Sequence, residues 1–247
     1  MSRTNNFVFL ILFSLTSGTT LAANEESIGS RLQALIQNES RSEDARARNQ
    51  YRHPLETLLF FELNPEQTVV EIWPGGQNGW YRSILEPYFE NQTGRYIPVT
   101  DDSGFPDPVD AVPDNSADMV LVFRAHGFLI YDQPLHMYYD ELFRMVKPGG
   151  IFGIVDHREL ESRTQDPKGV NGYIKESYLI TLAENAGFQF LEKTEINSNP
   201  LDTKDYPDGL YSLPPTLPGT MFNRSLRESV LEIGESDRMT MKFVKPE

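Results

Sequence analysis

The segment Glu71-Ile72-Trp73-Pro74-Gly75-Gly76-Gln77-Asn78-Gly79 sets an acid and a glycine-rich turn at the end of an apolar run, Thr68 to Trp73. Such a turn lets a ligand approach the backbone, and a helix starting just after it offers free N–H groups. The acid can hold an amine or a hydroxyl of that ligand. Glycine turns also serve simply to reverse the chain, so both readings stand on these residues alone. Histidine supplies the second candidate chemistry. His126 and His157 each follow an apolar run and are expected at neighbouring strand ends, with Asp156 beside the latter. Imidazole titrates near neutral pH, which suits a general base or a substrate contact; His157 reads equally as a hydrogen-bonded loop residue. A metal centre needs several convergent ligands, and none is expected here. His136 is expected on a helix surface. Tyr51-Arg52-His53-Pro54 is either a lid over a pocket or a plain helix junction. The chain has no cysteine, which excludes disulfides, thiolate nucleophiles and zinc–cysteine sites.

The elements that must position these residues alternate between strands and helices. Residues 27–38 and 42–62 read as helical, with Ser42 an N-cap and a break at His53-Pro54. Thr68–Trp73 and Asp118–Phe123 read as buried strands, and Tyr96–Thr100 as a short one whose Pro98 favours a sheet edge. Trp80–Phe89 carries Trp80, Ile84, Leu85 and Tyr88 at helical spacing. Gln133–Val146 is a helix that Lys147-Pro148-Gly149-Gly150 should terminate, followed by a strand at Ile151–Val155. Lys175–Ala186 is a helix, and Phe188–Ile196 and Met239–Val244 are late, paired strands. The proline- and glycine-rich stretch 198–237 reads as an ordered surface excursion. The expected fold is α/β: a Rossmann-like, mostly parallel sheet with helices on both faces and a late antiparallel strand pair.

The residues also carry a family resemblance. The acid and glycine loop, then PDNSADMVLVF (113–123), then ELFRMVKPGGIFGIVD (141–156), are similar to the class I S-adenosylmethionine-dependent methyltransferases. A narrower set of strings covers roughly residues 45–246: EIWPGG, GWY, FRAHG, VDHR, GYIKESY, NPLDTKDYP, LPPTL and IGESDRMTMKFVKP. Together these resemble an exported, periplasmic family of predicted methyltransferases. The resemblance implies a cofactor, S-adenosylmethionine, and a pocket above the first, second and fourth strands of that fold. It implies cofactor contacts from Glu71, Trp73, Gly75, Gly76, Gly79, Asp101, Arg124 and His126. It places Asp156, His157 and Arg158 on the acceptor side as the catalytic candidates.

Two departures from that pattern bear on function. Trp73 stands where the loop usually has its first glycine, and Gln77-Asn78 reads as an insertion. Only residues 101–117 separate the second strand from the Asp118 strand. A crossover takes at least about 10–12 residues, and Pro106, Pro108 and Pro113 oppose a helix. The third strand and its helix are therefore expected to be missing, which weakens or abolishes the place where the family holds adenine. Phe105 or Phe128 is available to replace that wall.

Composition and charge bound the rest. Arg3, the apolar run Phe7–Leu15 and the small-residue site Ala22-Ala23 form the pattern of a secretory signal peptide over residues 1–23. Its removal takes the net charge from −14 to −15. So acidic a chain, with no basic cluster, is a poor match for nucleic-acid backbone. No later segment is apolar enough to span a membrane. The expected layout is residues 24–62 as N-terminal helices packed on a methyltransferase-like domain at 63–247. Asn38, Asn91 and Asn223 each open a glycosylation triplet, which matters only in a eukaryotic secretory route. Two functions follow: methyl transfer to a small-molecule acceptor outside the cytoplasm, or a binding or scaffolding protein that keeps the fold without the catalysis.

Overall fold

Six strands form one sheet in the order β2-β1-β3-β4-β6-β5 in the computed structural model. The structure describes residues 27–76, 79–131, 133–217, 220–221 and 223–247. The signal-peptide reading of residues 1–23 and the Gln77-Asn78 insertion lie outside the described residues. The strands are β1 (Thr68–Ile72), β2 (Arg95–Val99), β3 (Ala117–Val122), β4 (Val146–His157), β5 (Gln189–Thr194) and β6 (Arg238–Val244). β2, β1, β3 and β4 run parallel, and β6 runs antiparallel to both β4 and β5. This is the expected Rossmann-like sheet with its late antiparallel pair.

Alternation along the strands divides the core between the two faces. Val70, Ile72, Val120, Val122, Phe152 and Ile154 pack toward α6 (Gly127–Ile130), α7 (Leu135–Met145) and α8 (Glu176–Asn185). Val69, Met119, Leu121 and Val155 pack on the other face, toward α5 (Arg82–Phe89). Leu32 and Ile36 of α1 (27–36), and Leu58 of α4 (Pro54–Phe60), belong to that same cluster. The N-terminal helices therefore share the core of the sheet. Between α1 and α4 lie two short helices, α2 (Glu43–Ala47) and α3 (Asn49–Arg52); Ser42 caps α2 by accepting the Ala45 N–H at 3.1 Å. The break at His53-Pro54 is present, with His53 at φ 36° and Pro54 opening α4.

Residues 100–116 contain one 3₁₀ turn, Asp101–Ser103, and neither a strand nor an α-helix. β2 is consequently the sheet edge, with Pro98 in it. The crossing is held from α7: the buried Glu141 carboxylate accepts the Val109 N–H at 2.9 Å, and Arg144 bridges Glu141 and Asp114. One expectation needs correction. Lys147-Pro148-Gly149-Gly150 does not form a turn separating helix from strand. β4 starts at Val146, directly after α7, and its register against β3 shifts between Ala117 and Met119. The physical reason is a second partner: Gly149 N–H donates to Lys245 O and Lys245 N–H to Gly150 O, so the chain beyond β6 pairs with this stretch and keeps it extended. The 198–237 excursion includes a 3₁₀ turn at Gly209–Ser212 and α9 (Arg224–Ile233). Among the described residues no helix is long and apolar enough to cross a membrane.

Candidate functional site

A cavity of about 940 Å³ opens above the carboxyl ends of β1, β3 and β4, where open parallel sheets bind ligands. That is the upper end of the size of small-molecule sites, about 300–1,000 Å³. It is lined by the strand ends, by the chain after β3, and by Tyr211, Pro214, Pro215 and Thr216 of the late excursion. Of the cofactor candidates, Glu71, Trp73, Gly75, Gly79, Asp101, Arg124 and His126 all line this cavity. Gly76 adjoins it in the same loop.

Glu71 sits on β1 and is almost fully buried. Desolvation lifts its pKa to about 7, against the hydrogen bond from Tyr96 and the charges of Arg124 and Arg82. Tyr96 Oη donates to Glu71 Oε2 at 2.7 Å, and Oε1 meets no donor among the described residues. Gly75 and Gly76 both have left-handed backbone, φ 85° and 66°, and a Cβ on Gly76 would meet no atom within 4 Å. The loop thus presents bare backbone to the cavity. Trp73 shares the left-handed conformation at φ 49°. For an L side chain this costs about 1–2 kcal/mol, which explains why glycine is usual there. The indole offsets it by packing among four rings, with centroids 5.8 Å from Phe105, 5.1 Å from Phe128, 5.2 Å from Tyr131 and 6.0 Å from Tyr138. Phe105 and Phe128 are spent in that buried cluster; Ile130 and Tyr131, both exposed, line the cavity mouth instead. Asp101 is exposed at the rim, whereas Asp102 is turned to the Thr100 hydroxyl.

The acceptor side is organised by Asp156, which is fully buried. Its Oδ1 lies 2.6 Å from His126 Nδ1 and accepts the His157 N–H at 2.7 Å, while Oδ2 accepts the His126 N–H. A carboxylate receiving these donors fixes the His126 proton on Nδ1 and leaves Nε2 as the basic atom. His157 lies edge-on to His126 with ring centroids 5.0 Å apart, and its Nδ1 contacts the Ser236 hydroxyl. Burial first, then the positive charges of Arg238, Arg52 and Arg124, hold the His157 pKa well below its ordinary value. One ligand atom each from His126, Asp156 and His157 lies within 4.8 Å of the others, a grouping compact enough for a metal ion. Both ring Nδ1 atoms and both Asp156 oxygens are already hydrogen-bonded, so an ion would have to displace those bonds or use the Nε2 atoms.

The structure sets Arg158 apart from its two neighbours. Its guanidinium pairs with Asp237 at 2.8 Å, Glu176 at 3.0 Å and Glu195 at 2.7 Å, and it does not line the cavity. It cross-links the loop after β4 to α8 and to the start of β6. His136, placed on a helix surface by sequence, lies on the first turn of α7.

Three cavity residues, Arg48, Arg238 and Tyr211, were not singled out by sequence, nor was Ser236, which holds His157. Arg52 was named only with the possible lid. Arg48, Arg52 and Arg238 converge on one buried carboxylate, Glu235, at 2.5, 2.9 and 2.5 Å. The only sequence signal for this group was the string IGESDR, which carries an acid and an arginine three residues apart but gives no hint of their partners near residue 50.

No family model matches the chain. It is similar to sterol 24-C-methyltransferase erg6 of Aspergillus fumigatus, 30% identical over 101 residues, which is 36% of this chain and 26% of that protein. It is similar to sterol 24-C-methyltransferase ERG6A of Gibberella zeae, 29% identical over 101 residues with the same coverage. The chain thus spans about a quarter of the length of the curated relatives it matches. Among solved structures, the [4+2]-cyclase SpnF superposes with a TM-score of 0.52 at 13% identity, covering 91% of this chain and 95% of that one. A putative sarcosine dimethylglycine methyltransferase from Galdieria sulphuraria gives 0.50 at 14% identity, covering 87% and 91%. The fold is that of the class I S-adenosylmethionine-dependent methyltransferases. The presence of a cyclase among these likenesses shows that the fold alone does not fix the reaction.

Proposed function

We propose that this methyltransferase fold transfers the methyl group of S-adenosylmethionine to a small acceptor outside the cytoplasm, in the periplasm. The observation that carries the reading is the pairing, across one cavity, of a buried acid beside bare glycine backbone with a histidine whose basic nitrogen is set by a buried carboxylate. The export pattern of residues 1–23 supports the compartment.

The cavity suits the cofactor on its own features. Glu71 Oε1, without a donor among the described residues, is available to an ammonium group. Asp101 at the rim is available to ribose hydroxyls, and Trp73, Ile130 and Tyr131 offer an apolar wall for a base. When bound, S-adenosylmethionine supplies an already activated methyl group, so the protein has to align the acceptor and manage one proton. His126 Nε2 takes that proton from the acceptor's hydroxyl or amine. Asp156 holds the imidazole in the productive tautomer and balances the charge that forms on it, a contribution of about 10²–10⁴-fold for a positioned base. His157, kept neutral by its surroundings, shapes the floor and orients through Ser236. The base therefore shifts from His157, the residue the sequence favoured, to its neighbour across Asp156.

Calorimetric titration of the purified protein with S-adenosylmethionine and S-adenosylhomocysteine tests the reading. Saturable binding is expected, with a dissociation constant no tighter than about 1 μM, because residues 100–116 form no strand where the family resemblance implies adenine is held. A tighter constant would mean that Ile130 and Tyr131 fully replace that strand. No heat at millimolar concentration would overturn the methyltransferase reading in favour of a binding or scaffolding protein.

A further inference from the structure

The three arginines around Glu235 outnumber its single negative charge, and all three line the cavity while Glu235 itself does not. Each uses only part of its guanidinium on that acid: Arg48 and Arg52 donate through Nε, and Arg238 through Nη2. The terminal nitrogens of Arg48 and Arg52 meet no acceptor among the described residues, and Arg238 Nη1 is buried without one. Arg52 also stacks its guanidinium on Trp80, 4.9 Å from the ring centroid, which fixes its plane. We infer that the acceptor carries a carboxylate or phosphate group, held by Arg48, Arg52 and Arg238 at the end of the cavity walled by the N-terminal helices. This assignment names the substrate class of the site above and rests on that reading.

Three lines of physical chemistry support it. Guanidinium groups bind planar oxyanions through paired N–H donors, and fixed, partly desolvated ones do so most strongly. Glu235 satisfies one edge of each arginine and preorganises the remaining edges, much as a second-row carboxylate orients a ligand-binding histidine. Burial and the neighbouring Arg238 charge draw the Arg52 pKa down to about 9, so it remains a cation at neutral pH in surroundings that penalise the charge. An incoming anion relieves that penalty. The same cationic field reaches His157, where Arg238 and Arg52 are among the charges that suppress protonation. An anion anchored at the cluster therefore lies in electrostatic contact with the histidine pair where the acceptor's nucleophile would sit.

The test uses phenyl phosphate and benzoate as probes, titrated into the full protein in low-chloride buffer with and without saturating S-adenosylhomocysteine. Saturable binding of at least one probe is expected in both conditions, and which one binds tells phosphate from carboxylate. Arg52→Gln and Arg48→Gln should each weaken it about tenfold, the loss of one hydrogen bond to a charged group. Arg224→Gln, on the exposed face of α9, should leave it unchanged. Thermal melts confirm that each variant is folded, and Arg48→Gln is the variant least exposed to misfolding. Absence of saturation up to about 50 mM, wild-type affinity in the Arg48 and Arg52 variants, or competition between probe and S-adenosylhomocysteine would each overturn the inference; competition would reassign the arginines to the cofactor's own carboxylate. S-adenosylhomocysteine binding without probe binding removes this inference and leaves the methyltransferase reading. Probe binding without S-adenosylhomocysteine binding leaves the arginines as an anion subsite but removes the methyltransferase reading, and with it their assignment to a methyl acceptor.

Discussion

Asp156 holds both ends of His126: one carboxylate oxygen lies 2.6 Å from the imidazole Nδ1, and the other accepts the backbone N–H of the same residue. The two residues are 30 positions apart: Asp156 lies near the end of β4, and His126 lies four residues past the end of β3, its neighbour in the sheet. The ring's direction and its tautomer are thereby set by one side chain.

Replacing that side chain should separate positioning from binding. Asp156→Asn is expected to lower methyl transfer to any accepted substrate by at least about 10²-fold, and His126→Gln by a similar factor, with S-adenosylhomocysteine affinity changed by little. A variant with wild-type turnover would exclude His126 as the base.

Glu71 gives a pH signature with a definite sign. Its folded pKa, about 7, stands above the ordinary 4.5 of a glutamate, so the carboxylate ionises only as pH rises through neutrality. Cofactor affinity should therefore strengthen from pH 6 to 8, and Glu71→Gln should flatten that dependence. The stability effect runs the opposite way. An acid with a raised folded pKa binds more protons folded than unfolded, so the free protein loses stability between about pH 4.5 and 7. Glu71→Gln should recover up to about 3 kcal/mol of it at pH 8, read from urea unfolding at the two pH values.

Gly76→Val is expected to abolish cofactor binding while the protein stays folded. A side chain there projects into open space rather than into the core, and the left-handed φ of 66° adds strain of about 1–2 kcal/mol. Unchanged affinity in calorimetry would move the ligand away from the loop.

Glu235→Gln should be among the most destabilising single changes. It leaves three cations around a buried amide, at a cost of about 3–5 kcal/mol. The arginines and the Arg48 hydrogen bond hold the Glu235 pKa at about 2, despite burial. Its contribution is thus fully present above about pH 4.5 and is lost as pH falls toward 2. Acid unfolding of the variant, followed by circular dichroism, should be correspondingly shallower across that window.

Export predicts a processed terminus. Protein recovered from the extracytoplasmic fraction should begin at Ala23 or Asn24 by N-terminal sequencing. Protein beginning at Met1 in the cytosol would remove the proposed compartment.

The sheet was legible because its signals are local. Thr68–Ile72 and Ala117–Val122 are short apolar runs bounded by turns, and the crowding of residues 101–117 with three prolines announced a missing strand. The β4 start was missed because the pairing of Gly149 and Gly150 with Lys245 comes from the far end of the chain. In the site, the glycine loop and Asp156 could be read from spacing and resemblance. The choice between His126 and His157 could not, since it turns on which ring faces a carboxylate and which is wedged against Ser236 and Arg238. Arg158 looked equivalent to its neighbours in sequence, and only the positions of Asp237, Glu176 and Glu195 show it to be a cross-link.

The ion pair between Arg48 and Glu235 joins residues 187 positions apart. Loop closure over such a span comes late in folding, after local helices and neighbouring strands have formed. The arginine cluster of the cavity, assembled from residues 48–52 and 235–238, then cannot form until both stretches are present. During synthesis the nascent chain holds its glycine loop and both histidines well before it holds Glu235 and Arg238, so a ribosome-bound chain stalled before residue 235 should lack the anion subsite altogether. Acquisition of anion binding would in that case time the arrival of β6 on the folding sheet.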